Sequence, residues 1–390
     1  MAKILFSYEK NMPTVSILKE MFVQISKSYP ISPVFLPVTQ IRPKDIDESD
    51  VVVLIRPSDT LSQAVAKRAR EAGATVVTSC DDDLLHYKPG QPWRLRGLRK
   101  TLARSDAVWS ASRYILEQYV PLSAGKRACI LDTVVGEEQI TSPKKEPGNK
   151  VKIVYAANPG HAVMFDELIR PVFPALVKEF GDAVSFTFIS VHPDLREFEN
   201  EVEIRYIKGM PLQEYRAFMQ EESFDVGLAP LFDNPFSRCK YINKYLEYSM
   251  MGVLGIYSNV LPYSSAIRNG ITGLLADNTY DGWLAALRTA ISDCFLREEI
   301  VRNAQTDLRE NFNEEGIVTG IIESMPELVQ ERKKGKPCRS LKLSRLIYWA
   351  YRPLDWLYLA CFYLRKEGIK GLRQRIKIHF RENAYLQKHE

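Results

Sequence analysis

The chain has 390 residues, of which 26% are charged and 45% hydrophobic. This composition argues against a collagen-like, disordered or multi-pass membrane protein, and the length allows two or three domains. The net charge of +5 hides an asymmetry, because residues 331–390 carry 16 Lys and Arg against 5 Asp and Glu, whereas residues 1–330 carry 37 against 43. A basic segment of this kind is expected to meet an anionic partner.

The first 140 residues alternate short apolar runs with amphipathic stretches. The run Val51–Ile55 is apolar throughout, which is typical of a parallel strand buried on both faces. One Lys before a short apolar run at the N-terminus favours a first buried strand over a signal peptide. We predict strands at 3–8, 51–55, 75–78 and 107–110, and helices at 14–28, 61–72 and 113–120. This alternation is the signature of a doubly wound parallel sheet.

A second alternation follows a polar linker at 141–150 that contains two Pro and one Gly. We predict its strands at 152–156, 184–190, 202–207, 226–229, 253–257 and 273–276, and its helices at 166–180, 212–220, 241–251 and 281–310. The chain is therefore expected to hold domains at 1–145 and 146–325, with a ligand cleft between them at the carboxyl ends of their strands. Residues 326–390 form a separate basic, amphipathic tail.

The tail combines aromatic, apolar and basic side chains. Its longest apolar run, Trp356–Leu364, has nine residues, and a helix needs about 18 or more to span a bilayer. Aromatic rings beside dense Lys and Arg suit the headgroup layer of a membrane, so we expect residues 340–381 to contact an anionic membrane surface. The alternative is a helix pair that packs on the N-terminal domain. No nucleic-acid-binding module is recognisable, so nucleic acid is not expected as a partner.

The six Cys residues are scattered and form no CxxC pair, which predicts reduced thiols in the cytosol rather than disulfides or a metal site. The sequence also lacks a P-loop, a GxSxG elbow, an HExxH helix and a GxGxxG turn. ATPases, serine hydrolases, zinc proteases and simple dehydrogenases therefore lose their usual sequence support.

Three basic residues cluster after the strand at 226–229. Arg238, Lys240 and Lys244 surround the start of a predicted helix that also holds Glu247, and spacings of four and three place the last three on one helical face. Cations at a helix N-terminus beside a strand end form a natural diphosphate site, and a carboxylate one turn further can accept hydrogen bonds from a ribose diol. An ordinary solvated charged helix is the alternative.

This region resembles the C-terminal domain of GT-B-fold glycosyltransferases of the group 1, or family 4-like, type. The matching residues are Asp225, Gly227–Leu231, Phe236, Lys240, Lys244, Glu247, Tyr248, Gly252, Ser258, Pro262, Tyr263, Gly270, Gly273–Leu275 and Trp283. The resemblance covers about residues 151–311. It implies an α/β protein with two Rossmann-like doubly wound domains that face a cleft, a nucleotide-diphosphate sugar as donor substrate, and no obligatory cofactor or metal.

The resemblance also implies roles for individual residues. Glu247 would hold the ribose, and Lys240 and Lys244, with Arg238, would bind the diphosphate. Cys239 stands where many of these enzymes carry a second Glu, which leaves a retaining or an inverting outcome open. Further donor contacts are implied at Pro230, Asp233, Tyr263 and Ser264.

A Gly- and Pro-containing turn follows the strand at 152–156. Asn158 and Gly160 can bring backbone amides close to phosphate or sugar. Related transferases often end this turn with His, so His161 is expected to donate a hydrogen bond or carry a proton near the leaving phosphate. A surface His that caps the next helix is the alternative.

Three carboxylates, Asp81, Asp82 and Asp83, follow the strand at 75–78, and His86 is close behind. Such a group could ligate Mg²⁺ or Mn²⁺, as in the GT-A fold, but the second Rossmann-like unit argues against that fold. We expect metal-independent Asp residues at the cleft, with Asp82 or Asp83 as general base, and a solvated acidic loop as the alternative.

Together with these patterns, the resemblance implies a cytoplasmic glycosyltransferase on the inner face of a membrane. It would transfer a sugar to a hydroxyl of a glycan or lipid-linked acceptor in cell-surface polysaccharide synthesis. The alternative is a catalytically degenerate GT-B-fold protein that binds nucleotide sugars or membranes.

Overall fold

The computed structural model describes residues 1–86, 90–141, 150–333, 335–337 and 339–388. The chain divides into two compact units. The first unit contains Met1–Ser110, Ile115–Ile130 and Ile322–Glu390, and the second contains Ala111–Tyr114 and Leu131–Ile321. Most of the predicted linker, and with it the boundary at residue 145, lies outside the described residues, so the domain limits stay predictions.

The first unit is built on a six-stranded parallel sheet. Its strands are β1 (Ala2–Tyr8), β2 (Ile31–Pro37), β3 (Val51–Ile55), β4 (Thr75–Ser79), β5 (Ala107–Ser110) and β6 (Arg127–Ile130). The spatial order is β2-β1-β3-β4-β5-β6, and every neighbouring pair is parallel. All five residues of β3 are buried, as the continuous apolar run predicts.

The sequence prediction missed β2 and β6. Pro33 and Pro37 lie in β2 and cannot donate backbone hydrogen bonds, which made the segment look unlike a strand. It is tolerated because β2 forms one edge of the sheet and β6 the other. The predicted helix at 61–72 is confirmed as Thr60–Glu71, where Asp59 accepts hydrogen bonds from the N–H groups of Leu61 and Ser62.

The second unit repeats this architecture. Its strands are β7 (Val151–Ala156), β8 (Val184–Ile189), β9 (Glu203–Ile207), β10 (Val226–Ala229), β11 (Leu254–Ser258) and β12 (Leu274–Ala276). They form a six-stranded parallel sheet with the order β12-β11-β10-β7-β8-β9. All six strands agree with the predicted ones to within two residues at each end.

Helices cover both sheets. Those before β7 are α1 (Pro13–Ser28), α2 (Pro43–Asp47), α3 (Thr60–Glu71), α4 (Pro92–Leu102) and α5 (Arg113–Tyr119). The next are α6 (Ala162–Leu168), α7 (Phe173–Phe180), α8 (Leu212–Glu222), α9 (Pro235–Arg238), α10 (Asn243–Met250), α11 (Tyr263–Ala266), α12 (Tyr280–Ser292) and α13 (Cys294–Asn311). The last two are α14 (Glu314–Ser324) and α15 (Lys342–Lys388).

Two long predicted helices are each divided. A 3₁₀ turn at Arg170–Val172 separates α6 from α7, because Pro171 cannot donate the hydrogen bond that a continuous helix needs. Asp293 separates α12 from α13 and caps the latter by accepting a hydrogen bond of 2.9 Å from the Leu296 N–H.

The tail belongs to the first unit. Leu341 and Tyr348 are buried in the same apolar cluster as Leu61 and Val65 of α3. Gly368, with φ of +67°, interrupts the helical geometry inside α15. None of the helices within the described residues is long and apolar enough to cross a membrane.

Candidate functional site

The second sheet changes winding direction at β7. Because β8 lies on one side of β7 and β10 on the other, the carboxyl ends of β7 and β10 form the topological switch point where doubly wound sheets bind ligands. The loops that leave β7, β10 and the adjacent β11 carry most of the predicted donor-binding residues.

Lys244 and Glu247 meet on α10, which starts in the loop region after β10. The Lys244 Nζ lies 2.8 Å from Oε1 of Glu247, and their side chains are 24% and 21% exposed. The Tyr215 hydroxyl, from α8, donates a hydrogen bond to the same Oε1. Both contacts use one oxygen, so Oε2 of Glu247 makes no hydrogen bond within the part of the chain that the structure describes.

Aromatic rings hold the Lys244 ammonium. Its Nζ lies 5.4 Å from the ring centroid of Tyr215 and 5.3 Å from that of Tyr248, within the range of cation–π attraction. The Tyr248 hydroxyl donates to the Leu228 carbonyl at 3.0 Å, which fixes that ring against β10. Burial, and then the charge of Glu247, raises the pKa of Tyr215 well above its usual value, so its hydroxyl stays a donor.

The position of Lys240 corrects one prediction. It does not share a helical face with Lys244 and Glu247, because α9 ends at Arg238 and α10 begins only at Asn243. Ile242, with ψ of +35°, interrupts the helical backbone between them. Lys240 instead sits on the connecting segment, with its Nζ 4.8 Å from the Phe236 ring centroid.

Arg238 and Asp233 form a two-pronged ion pair on the loop after β10. Nε and Nη2 of Arg238 lie 2.8 and 3.1 Å from the two carboxylate oxygens, and both side chains are about half exposed. Such an exposed pair contributes little to stability, so Arg238 can exchange its partner at low cost.

Buried polar contacts fix the start of this loop. Pro230 is buried, and the N–H of the following Leu231 donates to Oγ of Ser258 at 2.8 Å. Asn278 donates to the Leu231 carbonyl at 2.9 Å. Its own Oδ1 is buried without a hydrogen-bond partner among the described residues. The loop after β10 is thereby tied to the end of β11 and to the loop after β12.

Tyr263 and Ser264 follow β11. Tyr263 is buried, whereas the Ser264 side chain is exposed. The Ser264 N–H already donates to the Val260 carbonyl at 3.0 Å, so it would have to give up that bond to hold a phosphate.

The loop after β7 carries Asn158, Gly160 and His161. The first two are exposed, and a Cβ added at Gly160 would meet no atom within 4 Å. His161 ends a 3₁₀ turn and is half-buried, and its carbonyl accepts a hydrogen bond of 2.9 Å from the Tyr155 hydroxyl. The backbone of this loop is therefore open on one side and fastened at His161.

In the first unit, Arg56 gathers two of the predicted acidic residues. It follows β3 directly with φ of +50°. Its Nε lies 3.6 Å from Asp81 and its Nη2 lies 3.3 Å from Asp82, both in the loop after β4. The Thr14 hydroxyl also donates to Asp81. These partners show that the loop is not a simple solvated acidic turn.

Asp83 differs from its neighbours because it is wholly buried. Its Oδ1 accepts hydrogen bonds from the Leu85 N–H at 3.0 Å and the Tyr119 hydroxyl at 3.2 Å. Its Oδ2 accepts from Nδ1 of His86 at 2.7 Å, whereas the His86 side chain is 59% exposed. A buried carboxylate that holds one ring nitrogen fixes the imidazole and leaves Nε2 as a proton acceptor.

Sequence reasoning missed Tyr215 and Arg56. Tyr215 comes from a helix 32 residues before Glu247, and no spacing rule connects the two. Arg56 did carry a signal, since a charged residue directly after a buried strand lies at the carboxyl edge of the sheet, where ligands bind.

Comparisons with known proteins support the fold by structural similarity and not by sequence similarity. No protein-family model matches the chain, and no curated protein sequence matches it significantly. The structure is similar to HepE of Anabaena in complex with UDP and glucose, with a TM-score of 0.60, 12% identity and coverage of 84% of this chain and 100% of that one. It is also similar to the apo form of the lipopolysaccharide outer core galactosyltransferase WaaB, with a TM-score of 0.59, 15% identity and coverage of 83% and 100%.

A third similar structure is sucrose-phosphate synthase from Thermosynechococcus elongatus, with a TM-score of 0.63, 10% identity and coverage of 84% of this chain and 99% of that one. The similarity in each case covers more than four fifths of this chain and nearly the whole of the other chain. Two doubly wound units with these neighbours identify the architecture that the sequence resemblance implied, and the chain has the two-domain α/β GT-B fold.

Proposed function

We propose that this protein is a glycosyltransferase that moves a sugar from a nucleotide-diphosphate sugar to a hydroxyl of a glycan or lipid-linked acceptor, in the synthesis of a cell-surface polysaccharide. The observation that carries the proposal is the group formed by Lys244, Glu247 and Tyr215 near the switch point of the second sheet. The similarity to HepE, whose structures hold UDP and UDP-glucose, supports a uridine nucleotide sugar as the first donor to test.

The donor would bind through charge and hydrogen bonds. Oε2 of Glu247 is available to accept from the ribose hydroxyls, and Lys240 and Lys244 supply positive charge for the diphosphate. Arg238 can add a third cation by leaving Asp233 at the surface. Cations placed where the leaving diphosphate gains charge lower the barrier to transfer. Pro230, Asp233, Tyr263 and Ser264 would complete the pocket.

The loop after β7 would contact the sugar phosphate from the other side of the switch point. Asn158 and Gly160 leave the backbone accessible, and the His161 imidazole would donate a hydrogen bond or a proton to the leaving phosphate. No metal or other cofactor has an obligatory role in this scheme, since the phosphate charge is met by side-chain cations.

The acceptor side of the reaction would use the first unit. Asp83 cannot approach an acceptor because it is wholly buried, so we assign it the role of holding His86. The exposed imidazole then takes the proton of the acceptor hydroxyl, and Asp82 is the competing choice of base. Asp82 pairs with Arg56 but keeps part of its surface exposed.

The tail would determine where the acceptor is met. Within it, residues 331–390 carry 16 basic residues against 5 acidic ones, which attract an anionic surface. We therefore propose that the enzyme works as a peripheral protein on the cytoplasmic face of a membrane, where lipid-linked acceptors lie.

Substitution of Lys244 and Glu247 tests the donor site. We expect Lys244→Ala and Glu247→Ala each to weaken binding of UDP-glucose, or of whichever nucleotide sugar a panel identifies, by roughly 10- to 100-fold, because each removes a charged hydrogen-bond partner. Isothermal titration calorimetry on the full chain measures the change.

The matched control is the ion pair between Arg288 and Glu179, which is exposed in the same unit. Alanine at either control position should leave the affinity unchanged. Normal affinity in both site variants would refute the donor site. If the unaltered protein binds every UDP-, GDP-, ADP- and dTDP-sugar weakly or not at all, the degenerate, non-catalytic alternative is favoured instead.

A further inference from the structure

Helix α15 packs on the first unit through its polar face. Leu341, Arg345, Tyr348, Arg352 and Asp355 recur at spacings of three and four residues, and all five are buried or half-buried. Only two of the five are apolar. An amphipathic surface helix normally turns its apolar face inward, so this orientation is inverted.

A network of buried charges fixes the orientation. Arg94 of α4 pairs with Glu9 at 2.7 Å and with Asp355 at 2.6 Å, and Arg352 lies 3.0 Å from Glu9. The Trp93 indole N–H also donates to Asp355 at 2.7 Å. The side chains of Glu9, Arg94 and Asp355 are at most 17% exposed, so the network fixes the rotation of α15 about its axis.

The opposite side of α15 is apolar and exposed. We call it the outer stripe, and it consists of Leu343, Leu346, Ala350, Pro353, Leu357 and Leu364. Leu343 and Leu346 are each 69% exposed and Leu357 is 61% exposed. Trp349 and Trp356 flank the stripe and are themselves 58% and 45% exposed. A contiguous exposed apolar stripe rimmed by polar residues marks an interaction surface.

We propose that the outer stripe inserts into the interfacial layer of an anionic lipid bilayer, with α15 lying parallel to the membrane plane. This inference deepens the membrane part of the proposed function by naming the face that meets the lipid. Leucines would enter the acyl boundary, and the two Trp rings would lie at headgroup depth.

Charge favours a bilayer over a second copy of the chain as the occupant of the stripe. Residues 331–390 carry a net charge of +11, and Arg365 and Lys366 are exposed directly after Leu364. Two such segments facing each other would repel, whereas anionic headgroups attract each nearby Lys or Arg.

The test uses the full chain with Leu346→Ser and Leu357→Ser combined. Vesicles of phosphatidylcholine with added phosphatidylglycerol are floated with the unaltered protein, with this variant, and with a control that combines Ile271→Ser and Phe295→Ser. The control residues are exposed apolar side chains of the second unit, at 46% and 80% exposure. Because the four side chains are exposed, neither variant should change the thermal unfolding midpoint.

We expect the stripe variant to partition onto the vesicles roughly 100-fold less than the unaltered protein, since two Leu side chains lose their apolar environment. The control should partition normally, and vesicles of phosphatidylcholine alone should bind less of all three proteins. Quenching of Trp fluorescence by brominated lipid should accompany binding.

Equal flotation of the stripe variant and the unaltered protein would overturn the inference. So would a concentration-dependent dimer without lipid that Leu346→Ser and Leu357→Ser abolish, because a second copy would then cover the stripe. Titration of the same variants with the nucleotide sugar separates the two proposals. Normal sugar affinity with lost flotation concerns the stripe alone, whereas normal flotation without sugar binding in any protein counts against the donor site alone.

Discussion

Tyr215 holds Glu247 and Lys244 together in the second unit. Its hydroxyl donates to the carboxylate while its ring lies beneath the ammonium. The pair is thus arranged before any ligand arrives, which reduces the ordering cost of binding. Tyr215 is a positioning residue in this view, since Glu247 makes the proposed contact with the ribose.

Substitution of Tyr215 separates its two contributions. Tyr215→Phe removes the hydroxyl and keeps the ring, so we expect nucleotide-sugar affinity to fall by roughly 10-fold, the usual value of a hydrogen bond to a charged group. Tyr215→Leu removes both and should cost more. Calorimetry with the donor measures both variants, and an unchanged affinity in Tyr215→Phe would contradict the positioning role.

The two candidates for the general base, His86 and Asp82, can be distinguished by the effect of their substitution on kcat. If the His86 imidazole takes the acceptor proton, His86→Gln lowers kcat by roughly 100- to 10,000-fold, the usual contribution of general base catalysis. Donor affinity should stay normal, because the residue belongs to the other unit. Release of nucleotide from the donor in the presence of acceptor measures the rate.

Asp82→Asn is the matched variant for that experiment. It removes a carboxylate from the same loop and should lower kcat much less than His86→Gln does. If Asp82→Asn lowers kcat more than His86→Gln does, the general base is Asp82, which is one of the two residues that the sequence predicts for this role.

At the scale of elements, α15 depends on acidic groups that must stay ionised. Burial alone would raise the pKa of Glu9, but the hydrogen bonds and charge of Arg94 and the charge of Arg352 outweigh it and hold the pKa below its ordinary 4.5. Burial would likewise raise the pKa of Asp355. The hydrogen bonds from Arg94 and Trp93 and the charge of Arg94 outweigh that effect, and the pKa of Asp355 falls below its ordinary 3.8.

These directions predict how stability depends on pH. A lowered pKa in the folded state stabilises the fold fully above the ordinary value and loses that effect as the pH falls through the folded value. The first unit should therefore weaken below about pH 4.5, as Glu9 and Asp355 take up protons. Thermal unfolding followed from pH 7 downward measures this loss.

Asp355→Asn should lower the free energy of unfolding at neutral pH by about 3 kcal/mol, because it leaves the buried Arg94 charge with less negative charge to balance it. The comparison variant is Asp194→Asn, whose ion pair with Arg196 is exposed. It should leave the unfolding midpoint unchanged. A stable Asp355→Asn variant would mean that the network does not hold α15.

At the scale of the whole molecule, periodicity predicted both parallel sheets. An apolar run such as Val51–Ile55 is typical of a strand that is buried on both faces, and the structure contains a buried strand there. The prediction missed β2 because Pro33 and Pro37 are unfavourable in strands. They are permitted here because β2 lies at the edge of the sheet. In the first sheet, local patterns therefore predict the four central strands and miss both edges, whereas in the second sheet they also predict the edge strands β9 and β12.

The candidate site was predictable only where its residues are close in sequence. Lys244 and Glu247 are three residues apart and pair as their spacing suggests, whereas Tyr215 and Arg56 reach their partners through the fold. The tail shows the same limit. Its sequence indicates aromatic and basic character, but its inverted orientation depends on Glu9 and Arg94, which lie more than 250 residues before Asp355.

The discontinuous first unit also has a consequence for the order of folding during synthesis. The segment that completes its apolar cluster, with Leu341 and Tyr348, is made only after the whole second unit. At about 5 to 20 residues per second, translation of residues 131–341 takes roughly 10 to 40 s. During that time the first sheet is on the ribosome without the segment that completes its apolar cluster. Throughout that interval the surface beneath α15 is uncovered, and Arg94 and Glu9 have only each other as ion-pair partners within the network. The second unit, which lies within Leu131–Ile321 apart from the short segment Ala111–Tyr114, can finish folding first although most of it is translated second.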